Sequence, residues 1–156
     1  MTTGDFKSAD LAKQQEVCAL KVFNLEVAQT IGAIAVEISS TRALPISISI
    51  RVGDWEVFKV ALPGAKQEQD GWIERKYRVV QLTGNSTLHE RVKAEELGID
   101  WHVENQVTDK THALHGGCFP LKTQDGILHG ALLISGLPQV EDHLLAFEIL
   151  QSYLKS

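Results

Sequence analysis

Four stretches of the chain carry apolar residues at the spacing of an α-helix, every third or fourth position. The stretch from Asn24 to Ser39 has an apolar surface wide enough to predict a helix that is buried on most sides. A shorter helix is predicted before it, from Ala9 to Leu20, and another after it, from Asp70 to Thr83. An apolar stripe from Val140 to Leu154 predicts the last helix.

A fifth helix is indicated by the residues at its two ends. Thr87 and Glu90 have the spacing of a capping box, in which the hydroxyl and the carboxylate each accept a hydrogen bond from a backbone N–H of the first turn. Gly98 follows Leu97 and supplies a C-terminal stop. The sequence therefore predicts a helix that begins at Thr87 as its N-cap and ends near Leu97.

Strands are predicted in two pairs. Ile46 to Val52 alternates between apolar and polar residues, which is typical of a strand with one solvated face, and Trp55 to Leu62 continues after a Gly-Asp turn. Cys118 to Lys122 and Leu128 to Ser135 are joined by a short connection that contains a second Asp-Gly pair. Both pairs are predicted to be β-hairpins.

The predicted order of elements is helix, helix, hairpin, helix, helix, hairpin, helix. This order indicates an α+β fold, an antiparallel sheet of four to five strands with flanking helices. The polar segment from Ile99 to Ala113 has no regular pattern, and we expect Trp101 to be its one anchor. Pro120 cannot donate to a strand ladder, so its strand is predicted to be an edge strand, or to be bulged, and open to partner packing.

Composition and charge limit the domain count and the classes of partner. The 156 residues, 44% of them hydrophobic, suffice for one core, so we predict a single domain over residues 1–156 with a mobile N-terminus. A net charge of −5 argues against nucleic acid as a partner. Since the first residues are polar and no apolar run is long enough to insert into a membrane, we expect a cytoplasmic protein.

Sequence motifs of common enzymes are missing from the chain. It has no P-loop, no dinucleotide-binding glycine motif, no nucleophile elbow and no HExxH zinc helix. Cys18 and Cys118 lack the spacing of a metal site, and a strand position predicts that the thiol of Cys118 is buried and inert. Whether the protein is an enzyme stays open, and any catalysis is expected to come mostly from a bound cofactor.

Several motifs resemble one known family. HGGCFPL at His115 to Leu121 and SGLPQVEDH at Ser135 to His143 are similar to the haem-degrading-domain family, also called GlcG-like. WIERK at Trp72 to Lys76 and the ALPG turn that ends at Gly64 resemble its uncharacterised-protein branch more closely. The resemblance begins near Leu20. The chain departs from that branch where Asp-Asn usually follows the ALPG turn, since it has Glu-Gln at positions 68 and 69, and again at positions 83, 86 and 87.

The resemblance implies a fold, an assembly and two classes of function. It implies a profilin-like or PAS-like sheet and a homo-oligomer, either a dimer or an assembly of dimers. It also implies a binding protein for haem, a related tetrapyrrole or a small anionic ligand, which assists breakdown of that ligand. The alternative is an interaction scaffold or adaptor, as in protein-targeting machinery, which binds a protein partner and no small molecule.

The loop before the third strand holds the first candidate residues. His115 is a candidate ligand for haem iron or a propionate, although a histidine in a turn is often simply exposed. Gly116 and Gly117 can present backbone N–H groups to an anion. We favour the simpler interpretation of the two glycines, in which they only turn the chain into the strand.

Asp142 and His143 lie in the first turn of the last helix. The helix dipole favours the negative charge of Asp142, and this structural explanation is as good as a functional one. His143 is disfavoured there as a cation, so it is expected to be neutral and is a second candidate haem ligand.

Arg75 and Lys76, together with Arg78, are interpreted as a basic patch on the third helix. Such a patch can bind carboxylates, including haem propionates, through charge-assisted hydrogen bonds. We favour the alternative that the patch belongs to an interface between subunits. The three tryptophans are expected to be core or subunit anchors.

Overall fold

A computed structural model describes residues 3–156 of the chain. Within that range the elements are α1 (Ser8–Val17), α2 (Leu25–Thr41), β1 (Ser47–Val52), β2 (Trp55–Ala61), α3 (Gln69–Thr83), α4 (Thr87–Leu97), α5 (Trp101–Glu104), β3 (Cys118–Lys122), β4 (Leu128–Ser135) and α6 (Gln139–Lys155). The N-terminus was expected to be mobile, and its residues 1–2 lie outside the described range. None of the helices described is both long and apolar enough to cross a membrane.

The four strands form one antiparallel sheet in the order β2-β1-β4-β3. Both predicted hairpins are present, and the two central strands β1 and β4 pair in a register that sets Ile48 opposite Ile134. The β1–β2 ladder has a bulge between Ile50 and Arg51. The α+β class and the antiparallel sheet, predicted to have four to five strands and found with four, are therefore confirmed.

Helices cover both faces of the sheet. On one face α2 and α6 pack against the even-numbered residues of β1, such as Ile48 and Ile50, and this layer holds the largest apolar core. On the other face α3 packs through Ile73, Tyr77 and Val80 against β3 and β4. Smaller clusters attach α1, α4 and α5 at the end of the sheet nearest β3.

The prediction of a solvated face on β1 is wrong. Ser47 and Ser49 are buried under α3, and their hydroxyls donate to Gln69 Oε1 at 3.0 Å and to Glu56 Oε2 at 2.7 Å. A serine that is hydrogen-bonded to another side chain can be buried at little cost. Alternation along the strand therefore marked two buried faces of different polarity.

β3 is an edge strand, as Pro120 predicts, and the same chain pairs with it at its C-terminal end. Leu20 forms a parallel bridge with Thr123, and its N–H donates to the Lys122 carbonyl at 2.8 Å. α1 ends at Val17 and does not reach Leu20, because Leu20 makes this pairing. Within the described residues, β2 at the opposite side of the sheet has no strand on its outer edge.

The start of α4 differs from the predicted capping box. Ser86 is the N-cap, and its hydroxyl accepts from the His89 N–H at 3.1 Å. Thr87 instead accepts from the Cys118 N–H, and Glu90 accepts from the indole N–H of Trp101 at 3.0 Å. Contacts with β3 and α5 therefore use the two side chains that were expected to form the capping box. The helix ends at Gly98, as predicted.

Candidate functional site

A cleft of about 650 Å³ opens at the end of the sheet where β1 begins and β4 ends. Its walls come from the start of α3, the loop before β3, and the turn between β4 and α6. The lining residues are Pro45, Gly64, Lys66, Glu68, Gln69, Trp72, Lys76, His115, Ser135, Gly136, Leu137, Pro138, Gln139, Val140 and Asp142.

The β4–α6 turn approaches the start of β1 so closely that it requires a glycine. Gly136 has φ +142°, and a Cβ atom there would lie 2.7 Å from the Pro45 carbonyl oxygen. Gln69 holds the same region, since its amide donates to that carbonyl at 3.3 Å. These contacts define one wall of the cleft.

An ion pair between Lys76 and Asp142 forms the base of the cleft. Lys76 Nζ lies 3.3 Å from Asp142 Oδ2 and donates to the Ile134 carbonyl at 3.0 Å. The other carboxylate oxygen accepts from the Leu137 N–H at 3.0 Å. Each side chain is only 3% exposed, so the pair is buried although both residues line the cleft.

Burial dominates the electrostatics of this pair. Desolvation lowers the pKa of Lys76, and the attraction of Asp142 opposes that shift without cancelling it. Desolvation also raises the pKa of Asp142 to about 6, although Lys76 and the N–H of Leu137 stabilise its anion. Both shifts favour the neutral forms of the two groups relative to the same groups in water.

The interpretation of Arg75, Lys76 and Arg78 as one basic patch is wrong. Lys76 lies on the inward face of α3, because it shares the helical spacing of the buried residues Ile73 and Tyr77. The Arg75 guanidinium lies 4.2 Å from the ring centroid of Trp72. Its Nη1 donates to the Asp109 carbonyl, and that of Arg78 donates to the Thr111 carbonyl.

His115 lies on the wall of the cleft, edge-on to Trp72 with 4.7 Å between the ring centroids. Desolvation, with smaller effects from Arg91, Lys76 and Arg75, lowers the pKa of His115 to about 4. Its imidazole is therefore neutral at pH 7. Nδ1 is buried, and among residues 3–156 it has no hydrogen-bond partner.

Gly116 and Gly117 allow the loop before β3 to approach the base of the cleft. A Cβ atom on Gly117, whose φ is +125°, would lie 2.4 Å from the Ile134 carbonyl oxygen and 2.8 Å from Lys76 Nζ. The Gly116 N–H donates to Gln139 Oε1 at 3.2 Å. The glycines therefore have a packing function, and the Gly116 N–H is used within the protein.

His143 is a predicted site residue that the structure places away from the cleft, and Arg75, Gly116 and Gly117 are not among the lining residues either. Its side chain is fully buried, and Nε2 lies 2.7 Å from Gln14 Oε1 on α1. The ring packs against Phe6 and Phe119, with centroid distances of 6.4 Å and 5.7 Å. His143 faces α1 and β3 from α6, so it does not contact the space inside the cleft.

Several residues of the cleft were missed from the sequence. Trp72 was expected to be an anchor in the core or between subunits, yet it lines the cleft and is partly exposed. Glu68 and Gln69 also line it, at the positions where the chain departs from the related branch. This difference from the related branch is the feature of the sequence that could have indicated these two residues as part of a site. Pro45 belongs to the cleft because the sheet places the start of β1 beside the β4–α6 turn, a contact that no local pattern predicts.

The relationship to known proteins agrees with this architecture. The model of the family described as "Haem degrading protein HbpS-like" matches residues 23–151, so the chain belongs to the HbpS-like family. A UPF0303 protein of Streptomyces avermitilis is 33% identical over 145 residues, which cover 93% of this chain and 89% of that protein. A UPF0303 protein of Rhizobium johnstonii is 32% identical over 140 residues, which cover 90% of this chain and 86% of the relative. The resemblance that the motifs suggested is confirmed.

Solved structures share the fold at lower identity. The crystal structure of the Ybr137w protein has a TM-score of 0.87 and 24% identity, with 96% of this chain and 90% of that chain covered. The structure of a PduOC complex with haem has a TM-score of 0.68 and 21% identity, with 84% and 94% covered. HbpS itself has a TM-score of 0.65 and 17% identity, with 85% and 89% covered.

Proposed function

We propose that the chain binds haem or a related tetrapyrrole in the cleft, and that His115 contacts the ligand. The observation that carries the proposal is the position, protonation and hydrogen bonding of this histidine. His115 lines the cleft, its lowered pKa of about 4 keeps the imidazole neutral at pH 7, and its buried Nδ1 has no partner among the described residues. Only a neutral imidazole has a lone pair that can bind iron.

The remaining walls of the cleft suit a large, mostly apolar ligand with anionic groups. A volume of about 650 Å³ lies within the range of roughly 300–1,000 Å³ that is usual for small-molecule sites. Trp72, Leu137 and Val140 supply apolar surface, and Lys66 is an exposed cation at the rim. Lys66 can pair with a propionate, a function that Lys76 cannot serve while it is bound to Asp142.

The family and one neighbour support the identity of the ligand. The chain belongs to a family described as haem-degrading, and PduOC, which shares the fold, has been crystallised with haem. Bound haem would supply the redox and oxygen chemistry of its iron. The chain would supply a neutral imidazole, apolar walls and a cation at the rim. We propose that any breakdown of the ligand depends on these residues.

A haem titration of the purified protein, followed by the Soret absorbance, tests the proposal. Saturation at a fixed haem-to-subunit ratio is expected for the wild type, with at least a tenfold weaker affinity for His115→Ala. His129→Ala is the matched control, because His129 lies six residues before Ser135 on β4, roughly 20 Å from the cleft. A response that does not saturate, or is identical in all three proteins, contradicts the proposal and favours the adaptor alternative.

We also propose that the protein is a cytoplasmic homo-oligomer, a dimer or an assembly of dimers. The outer edge of β2 supports this, since no described strand pairs with it and Trp55 at its start is 61% exposed. Light scattering coupled to gel filtration measures the subunit number, and a monomeric mass at micromolar concentration contradicts the proposal.

A further inference from the structure

The amine of Lys76 combines two properties that are seldom found together, burial and contact with a cleft. We propose that Lys76 forms an imine with a small aldehyde or ketone that enters the cleft, and that Asp142 moves the protons of this reaction. The inference is independent of haem binding, because it concerns the base of the cleft and requires neither iron nor His115.

The position of the amine is set by three contacts within the protein. Nζ is held by the Ile134 carbonyl and by Asp142, at 3.0 Å and 3.3 Å. Gly117 lies against it so closely that a Cβ atom would come within 2.8 Å of Nζ. The amine therefore cannot turn out into solvent, and a ligand must come to it through the cleft.

The surroundings of Lys76 favour a nucleophilic amine. An ammonium group has no lone pair, so attack on a carbonyl requires the neutral form, which burial in an apolar pocket makes more accessible. Lys76 is buried, and its nearest acid also resists ionisation because of burial. The guanidinium of Arg75, on the neighbouring residue, adds a like charge that further disfavours the ammonium.

The proposed reaction is balanced without an oxidant or a reductant. The Nζ lone pair forms a bond to the carbonyl carbon, and the carbonyl oxygen takes a proton from Asp142. The nitrogen returns a proton to the Asp142 carboxylate, which gives a carbinolamine. The C–O bond then breaks as the hydroxyl takes a proton from Asp142 and leaves as water, and the nitrogen lone pair closes the C=N bond. The resulting iminium gives its N–H proton back to the Asp142 carboxylate. One amine and one carbonyl compound thus give one imine and one water.

The base of the cleft, as distinct from its rim with Lys66, favours an uncharged carbonyl compound with an apolar substituent. Both ends of the Gln69 amide are already used, by the Ser47 hydroxyl and the Pro45 carbonyl, and Gln139 Oε1 accepts from Gly116. The rest of the cleft lining includes the apolar side chains of Leu137 and Val140 and the ring of Trp72.

Reductive labelling of the full chain tests the inference. The protein is incubated with butanal and sodium cyanoborohydride at pH 7, and the modified lysines are located by peptide mass mapping. Lys66 is the internal comparison, because it lines the same cleft but is exposed. We expect Lys76 to be labelled at least fivefold faster than Lys66, and equally fast once the protein is unfolded in denaturant.

Two variants separate the proposal from a purely structural ion pair. Asp142→Asn should slow the labelling of Lys76 at least tenfold and leave that of Lys66 unchanged, and Lys76→Arg should remove the labelled peptide. His129→Ala, a variant outside the cleft, should leave both labelling rates unchanged. Because the labelling is carried out without haem, a failure of haem binding and a failure of imine formation are distinguishable. If Lys76 in the folded wild type is labelled more slowly than Lys66 at every pH from 6 to 9, the inference is wrong, whatever the variants do.

Discussion

Lys76 Nζ on α3 lies 3.3 Å from Asp142 Oδ2 on α6, beside the turn between β4 and α6, although the two helices pack on opposite faces of the sheet. The contact is possible because β4 ends there. The amine of Lys76 also donates to the carbonyl of Ile134, near the end of that strand. One buried pair therefore connects both helical layers around the end of the sheet.

Removing one partner of this pair should destabilise the fold more than removing both. Lys76→Met leaves the Asp142 carboxylate buried without its cation, and we expect the free energy of unfolding at pH 7.5 to fall by about 3–5 kcal/mol. The double variant Lys76→Met, Asp142→Leu removes both charges and should lose less. Urea denaturation measures both values, and a double variant that is less stable than the single one contradicts the prediction.

Acidification should weaken the fold through His143. Burial lowers the pKa of this residue from 6.5 to about 4, with a smaller effect of His89. The unfolded chain binds the proton more readily than the folded protein does. The contribution of neutral His143 to the free energy of unfolding is therefore fully present above pH 6.5, and it is lost as the pH decreases towards about 4. The shift corresponds to about 3 kcal/mol over that window.

The contribution of His143 is isolated by comparison with His143→Gln, which can still hydrogen-bond Gln14. Asp142 has the opposite effect, because its raised pKa makes the fold gain stability as the pH falls from about 6. His115 and Asp142 are present in both proteins, so their effects cancel. Urea midpoints at pH 7.5 and pH 5 should differ less in the variant, and equal differences would show that His143 does not cause the acid sensitivity.

Gly117→Ala should be much more destabilising than Gly126→Ala, although both glycines have positive φ values. At Gly126, with φ +87°, a Cβ atom meets nothing within 4 Å. The free energy of unfolding is therefore expected to fall by about 1 kcal/mol, because of backbone strain alone. At Gly117 the Cβ atom would also clash with the Ile134 carbonyl and Lys76, and we expect a loss of about 3 kcal/mol or more. Thermal unfolding compares the two, and equal losses would contradict the packing explanation.

The limits of the strands were predictable because alternation and turn residues are local signals. β3 and β4 lie where the pattern places them, at Cys118–Lys122 and Leu128–Ser135. The cap of α4 was not predictable in the same way, because Ser86 and Thr87 are both competent N-caps. The choice depended on the N–H of Cys118, which is distant in sequence and donates to the Thr87 hydroxyl.

The sequence by itself determined the order of helices and strands, the family and the candidate loop, since each follows from residues that are close together in the chain. The tertiary structure alone decided which candidates share a site. His115 reaches the cleft and His143 does not, because α1 and β3 cover one side of α6 while the cleft adjoins its first turn. The tertiary structure also placed Lys76 beside Asp142 at the base of the cleft and lowered the pKa of Lys76, because removal from water, which no sequence pattern measures, disfavours a charged group.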